Sequence, residues 1–142
     1  MIVSACLLGF PCNHNGRASP SAALEGLARG GRQVIPICPE VAGGLPIPRP
    51  AAERLGDGRV VTGTGEDVTE FYRRGAAAAV EVASAAGVTE AVLKARSPSC
   101  GCHQIYDGTF TRTLIDGEGV TAAALRTAGV AVRSEEDIEP GY

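Results

Sequence analysis

Three cysteines in the chain follow short apolar runs that have the character of buried strands. Cys6 follows residues 1–5, Cys38 follows residues 33–37, and Cys100 comes soon after a third run at residues 89–95. If these runs are parallel strands of one open sheet, the three thiols meet at its carboxyl edge, where such folds bind ligands. Thiolates are ligands of soft metals, so the pattern predicts a zinc ion or an iron–sulfur cluster on these cysteines.

The spacing of the cysteines bears on the choice between zinc and iron–sulfur. Structural zinc sites usually carry Cys-x₂₋₄-Cys pairs, whereas Cys6 and Cys12 are separated by five residues and Cys100 and Cys102 by one. This weakens a zinc-ribbon interpretation but leaves zinc open. Three thiolates on a [4Fe–4S] cluster would leave one iron without a protein ligand, and such an open position is typical of catalytic metal sites.

Composition limits the classes of function. A chain of 142 residues with 44% hydrophobic and 20% charged residues predicts one domain, residues 1–142. A net charge of −3 and the lack of an apolar run near the roughly 20 residues of a membrane span argue against nucleic-acid polymer and membrane as partners. No secretory signal pattern opens the chain, which predicts a cytoplasmic protein, where five cysteines favour metal binding or catalysis over disulfides.

The elements that must position the cysteines alternate between strands and helices. Apolar periodicity predicts a fourth strand at 130–133, a hairpin at 53–63, and helices through Leu24 to Ala28, from Asp67 to Ala86 and at 120–127. This order predicts a small Rossmann-like α/β domain with a mostly parallel sheet of about four strands, flanking helices and the hairpin.

Local signals refine this prediction. Asp67 and Glu70 are in capping-box register at the start of the main helix, and Gly75 on its apolar face predicts close helix-to-sheet approach. Four prolines exclude a regular helix from residues 39–50, which are expected to form a stiff loop. Residues 96–119 are expected to form a second long loop, in which Tyr106-Asp-Gly108 is a turn before a β excursion, and the acidic tail at 135–142 is expected to be solvated.

Several motifs, in order along nearly the whole chain, resemble the thiouracil desulfidase family, formerly known as a domain of unknown function. They are Ser4-Ala-Cys-Leu-Leu-Gly9, Cys38-Pro-Glu40, Gly43-Gly-Leu-Pro46 with Pro48-Arg49, Gly65 with Asp67-Val-Thr69, Ser97-Pro-Ser-Cys-Gly101 and Ile105-Tyr-Asp-Gly108. The resemblance implies an oxygen-sensitive [4Fe–4S] cluster on Cys6, Cys38 and Cys100, and the removal of sulfur from thiolated pyrimidines. The chain departs from the family pattern at His14-Asn15-Gly16, which leaves its substrate preference open.

The implied enzyme is an iron–sulfur-dependent desulfidase whose open iron binds the thiocarbonyl sulfur of a small thiolated nucleobase or related thioamide. In this hypothesis Glu40 is the general acid or base, and Ser97 and Ser99 hydrogen-bond the substrate or relay a proton. The alternative is a non-catalytic zinc or iron–sulfur module, such as a sulfide carrier. A thiol-redox protein is disfavoured, because the chain has no Cys-x-x-Cys.

Six further side chains are of types that can bind a metal or a substrate. Cys12 is a further ligand, a sulfur-accepting thiol or a structural residue, and Cys102 is interpreted as a bystander. Both histidines, His14 and His103, lie in polar segments and are expected to be solvated. The single lysine, Lys94, and the arginine Arg49 are candidates either to orient a substrate carbonyl or to form ordinary salt bridges. The oligomeric state stays open, with a homodimer among the alternatives.

Overall fold

The structure is a computed structural model of the chain and describes residues 1–138. Its strands and helices follow in the order β1 (Ile2–Ser4), α1 (Ala22–Arg29), β2 (Ile35–Ile37), α2 (Pro39–Ala42), β3 (Ala52–Arg54), β4 (Val60–Thr62), α3 (Thr69–Ala86), β5 (Glu90–Leu93), β6 (Gln104–Tyr106), β7 (Leu114–Asp116), α4 (Val120–Thr127) and β8 (Ala131–Ser134). Short 3-10 turns follow β1 at Ala5–Leu8 and β8 at Glu135–Asp137. Within residues 1–138 no helix combines the length and the apolar character needed to cross a membrane.

The main sheet has four parallel strands in the order β2-β1-β5-β8. Side chains alternate along β1, so that Ile2 joins the core cluster beneath α3 and α4, and Val3 joins the cluster beneath α1. Both side chains are fully buried, as the continuous apolar run predicts for a central parallel strand. The predicted α/β fold with a mostly parallel four-stranded sheet and flanking helices is confirmed.

Two antiparallel hairpins stand outside the main sheet. The first pairs β3 with β4, as predicted for residues 53–63. The second pairs β6 with β7 inside the segment that was expected to be a long loop, which is wrong for these two strands; the β excursion predicted after Tyr106-Asp-Gly108 corresponds to β7. Each of its strands has three residues, and Leu114 and Ile115 of β7 are exposed. Three residues are too few to show the alternation of apolar and polar side chains from which a strand is predicted.

The proline-rich segment after Cys38 also departs from the prediction, because its first residues form the short helix α2. Pro39 occupies the start of this helix, where the missing N–H of proline costs no hydrogen bond. The close approach predicted for Gly75 is made to α2 and not to the sheet. A Cβ atom at Gly75 would collide with the carbonyl oxygen of Pro39, and one at Gly43 with that of Phe71. Backbone contact between α2 and α3 therefore holds the segment that follows Cys38.

Substitution of Gly75 by alanine tests this contact. In an open helix position the change would stabilise the protein by about 1 kcal/mol, but here we expect a loss of about 1–3 kcal/mol in the free energy of unfolding, because α2 must move away. Gly26 of α1 is the matched control, since a Cβ atom there meets nothing within 4 Å and Gly26→Ala should stabilise. Urea denaturation of both variants measures the difference, and equal effects would contradict the close packing.

The N-termini of α1 and α3 are capped differently. Ser21 caps α1, where its hydroxyl accepts a hydrogen bond from the Leu24 N–H at 3.4 Å. The capping box at Asp67 and Glu70 is wrong, because α3 begins at Thr69 after Val68, without a side-chain cap. Asp67 Oδ1 instead accepts from both the N–H and the hydroxyl of Thr69, at 2.9 and 2.6 Å.

The segment after β8 was expected to be solvated, which holds for the exposed Glu136 and Asp137 but not for half-buried Glu135 or buried Ile138. Ser134 and Asp137 form a capping box that starts the 3-10 turn, and the side chain of Ile138 is buried. Residues 139–142 of the predicted tail lie outside the described residues. The packing of Ile138 fixes the three preceding acidic residues against the protein, and each of them pairs with a basic side chain in residues 94–103.

Candidate functional site

Three neighbouring strands deliver the three predicted cysteines to one edge of the sheet. Cys6 lies in the 3-10 turn directly after β1, Cys38 directly follows β2, and Cys100 lies in the segment after β5. All three line one cavity of about 540 Å³, a volume typical of small-molecule sites. The structure thus brings together the thiols that the sequence places after three separate strands.

The spacing of the three thiols discriminates between the proposed metals. Among residues 1–138, the sulfur atoms of Cys6, Cys38 and Cys100 do not form a group in which all donor atoms lie within 4.8 Å of one another; a different set of three side chains does. A single tetrahedral zinc ion, with Zn–S distances of about 2.3 Å, requires thiolates that lie less than 4.8 Å apart. A [4Fe–4S] cluster binds each thiolate on a different iron and suits a wider arrangement. The donor set therefore fits the cluster better than one zinc ion.

Burial dominates the acid–base properties of these thiols. Desolvation raises the pKa of Cys6 to about 11, although the nearby Lys94 ammonium opposes the shift. Desolvation likewise raises the pKa of Cys100 to about 12, against hydrogen bonds from Ser4 and Ser99. Without a cation the two thiols stay protonated at neutral pH, and a metal ligand set needs them as thiolates. The cavity is thus suited to a positively charged group that displaces these protons.

An ion pair between Glu40 and Arg49 forms one wall of the cavity. Arg49 Nη2 lies 2.7 Å from Glu40 Oε2, and the side chain of Arg49 is only 4% exposed. The same guanidinium donates to the carbonyl oxygen of Cys12 at 2.9 Å and lies 4.0 Å from the sulfur of Cys38. Burial disfavours the guanidinium charge, yet the Glu40 carboxylate outweighs burial and raises the pKa of Arg49. Arg49 thus ties together the loop of Cys12 and the segment of Cys38.

The two predicted serines occupy different places. Ser97 lines the cavity, and its hydroxyl accepts hydrogen bonds from the N–H groups of Ser99 and Cys100 at 3.1 and 3.0 Å. Because both lone pairs are then used, its O–H is left to donate. Ser99 is 1% exposed behind the cavity wall, where its hydroxyl lies 2.8 Å from that of Thr121. Ser97 can therefore reach a bound molecule, and Ser99 holds the loop of Cys100.

Lys94 lines the cavity beside Cys6 and is paired with Glu135, a residue to which sequence analysis gave no role. Lys94 Nζ lies 3.1 Å from Glu135 Oε2, and Glu135 Oε1 accepts a hydrogen bond from the Ala95 N–H at 2.7 Å. A salt bridge, one of the two alternatives for this lysine, is thus present. The Ser134-x-x-Asp137 capping pattern was a signal that this tail begins an ordered turn.

The hairpin β6–β7 contributes residues that sequence analysis did not select. Tyr106 and Arg112 line the cavity, and so does Glu53 of the first hairpin. Glu53 Oε1 accepts hydrogen bonds from the N–H groups of Gly108 and Phe110, at 3.0 and 3.1 Å, and holds the hairpin tip in place. No local signal could have found this contact, because its partners are more than fifty residues apart.

The two remaining cysteines differ in position. Cys12 is buried and lines the cavity next to Cys38; burial, followed by the proximity of Cys38, raises the pKa of Cys12 to about 12. His14 lies in the same wall. Cys102 lies outside the cavity, close to His103 and Asp137, and these are the residues whose donor atoms lie within 4.8 Å of one another.

Comparisons with known proteins agree with the motifs. A 48% identical solved structure, described as the [4Fe–4S]-dependent thiouracil desulfidase TudS (DUF523Vcz), superimposes with a TM-score of 0.91 over 97% of this chain and 91% of that one. The uncharacterized protein YbbK of Bacillus subtilis (strain 168) is 40% identical over 147 aligned positions, covering 97% of both proteins. The sequence profile of the 2-thiouracil desulfurase family matches residues 1–137. This chain therefore belongs to the 2-thiouracil desulfurase family.

Proposed function

We propose that this protein is a [4Fe–4S]-dependent desulfidase that removes sulfur from a small thiolated pyrimidine such as thiouracil. The observation that carries the proposal is the convergence of Cys6, Cys38 and Cys100 from three adjacent strands into one cavity. Family membership and the description of the 48% identical structure support both the cofactor and the substrate class. Cys6, Cys38 and Cys100 would hold the cluster. When bound, it supplies an iron without a protein ligand that can act as a Lewis acid toward sulfur.

The chain's own groups fit a hydrolytic replacement of sulfur by oxygen. The overall reaction converts a thiocarbonyl and one water molecule into a carbonyl and hydrogen sulfide, so it needs no oxidant or reductant. Glu40 lines the cavity as a carboxylate and is placed to accept the proton of the attacking water. Ser97 presents a free O–H and is placed to hydrogen-bond the substrate. In this proposal Ser99 acts through the loop, since its hydroxyl is paired with Thr121.

The charged residues around the cavity position these groups. Arg49 orients the Glu40 carboxylate through Oε2 alone, which leaves Oε1 free of the guanidinium. Lys94 places a positive charge beside Cys6, which favours the thiolate that the cluster requires. Tyr106 and Arg112 from the second hairpin bound the cavity, and both side chains can hydrogen-bond the polar edge of a pyrimidine.

Anaerobic purification followed by assay with 2-thiouracil tests the proposal. We expect brown protein with about four iron ions per chain, which releases sulfide and forms uracil. The control is the same preparation after removal of iron with a chelator, which should release none. Colourless protein with stoichiometric zinc would refute the cluster. Brown protein that releases no sulfide from any thiolated pyrimidine would refute the enzyme and favour a non-catalytic module.

A further inference from the structure

A second set of metal-binding side chains lies outside the cysteine cavity. It consists of Cys102, His103 and Asp137, one donor atom from each lying within 4.8 Å of the others. The imidazole Nε2 of His103 is 2.7 Å from Asp137 Oδ2. None of these three residues lines the 540 Å³ cavity. The function proposed above gives them no role.

The backbone around these residues is held in place. His103 directly precedes β6, and its carbonyl oxygen accepts a hydrogen bond from the Gly117 N–H at 3.1 Å. Asp137 belongs to the 3-10 turn after β8, where its Oδ2 accepts from the Ser134 N–H at 2.9 Å. Buried Ile138 anchors the end of this turn. The three donors therefore come from two ordered segments that are distant in sequence.

The donor types select a class of metal. A thiolate, an imidazole and a carboxylate are the three ligand types that zinc binds in proteins, with a fourth position left for water. Calcium and magnesium prefer oxygen ligands only, so a thiol and an imidazole argue against them. The Asp137 carboxylate has a donor atom within 4.8 Å of those of Cys102 and His103, and its negative charge favours a cation there. Cys102 is half-buried and His103 is exposed, so an ion can enter from solvent.

We propose that Cys102, His103 and Asp137 form a zinc site separate from the cysteine cavity. The ion would join the residues just after Cys100 to the turn after β8. That turn also carries Glu135, the partner of Lys94 and of the Ala95 N–H. Zinc at this position would therefore fasten two segments that border the cavity, and it would bind whether or not the protein is a desulfidase.

Zinc titration of the cluster-loaded protein tests the site, because a bound cluster occupies the competing cavity thiols. After anaerobic incubation with zinc and desalting, we expect about one zinc ion per chain beyond the iron. Cys102→Ser and His103→Gln should each weaken zinc binding by at least about tenfold. Cys12→Ser and His14→Gln are the matched controls, because His14 is the only other histidine of the chain. Both variants should bind zinc as the unaltered protein does.

A second arm does not depend on the cluster. In the variant with Cys6→Ser, Cys38→Ser and Cys100→Ser, cobalt(II) should still give thiolate-to-metal charge-transfer absorption. This absorption should vanish with Cys102→Ser and persist with Cys12→Ser. Zinc binding that is absent from the cluster-loaded protein, or that is unaffected by Cys102→Ser and His103→Gln, would overturn the proposal. If the variant that lacks Cys6, Cys38 and Cys100 does not fold, the zinc titration of the cluster-loaded protein still tests the site. If the protein holds no cluster, the cobalt(II) spectrum tests it.

Discussion

Serine in place of Cys6, Cys38 or Cys100 should leave the protein without its cluster and reduce sulfide release by at least about 10³-fold. Each thiol lies after a different strand and is held there by its own segment, so none of the three can take the place of another. Iron content and visible absorption after anaerobic reconstitution, followed by the 2-thiouracil assay, measure both effects. Cys6 and Cys100, which are both buried, should be more sensitive than the half-buried Cys38, because solvent reaches them less easily to replace the lost ligand.

Cys12→Ser and Cys102→Ser are the internal controls for this experiment. Cys12 lines the same cavity and lies next to Cys38, so it is the one alternative ligand among the cavity thiols. If iron binding needs only the three cysteines at strand ends, Cys12→Ser should keep its iron and its activity within about tenfold. A protein that loses its cluster with Cys12→Ser, and keeps it with Cys100→Ser, would contradict the proposed ligand set. Loss of the cluster with serine in place of each of the four cavity cysteines would contradict the open iron.

The convergence of the cysteines could be predicted because it depends on topology and not on side-chain detail. Continuous apolar runs mark buried parallel strands, and parallel strands end at a common edge. Once residues 1–5, 33–37 and 89–95 were predicted as strands, the positions of Cys6, Cys38 and Cys100 followed. The observed strands are shorter than predicted, at Ile2–Ser4, Ile35–Ile37 and Glu90–Leu93, but the edge is the same.

The walls of the cavity could not be predicted, because they depend on contacts between segments without periodicity. The bond from the Gly108 N–H to Glu53 joins two hairpin regions that share no local pattern. Glu135 lies in an acidic run whose composition suggested solvent, while a single buried residue, Ile138, draws that run against the protein. The helix α2 was missed because proline content argued against it, although its one proline is at a helix start, where proline is tolerated.

The largest effect expected from a residue that does not bind the cluster is at Glu40. Glu40→Gln keeps the shape of the side chain and removes the proton acceptor, so turnover should fall by about 10²–10⁴-fold while iron content stays unchanged. The change also leaves Arg49 buried without its counter-charge, which destabilises the protein in its own right. A measurement of activity alone cannot separate these two consequences, so the thermal unfolding of each variant is measured as well.

The double variant Glu40→Gln with Arg49→Met separates proton transfer from ion pairing. Arg49→Met alone leaves the Glu40 carboxylate without a counter-charge and should lower the free energy of unfolding by about 3–5 kcal/mol. Removal of both charges should cost less than the sum of the two single changes. If Glu40 accepts the proton of water, the double variant regains stability but remains as slow as Glu40→Gln. Turnover that recovers along with stability would instead show that Glu40 serves only as the counter-charge of Arg49 and is not the proton acceptor.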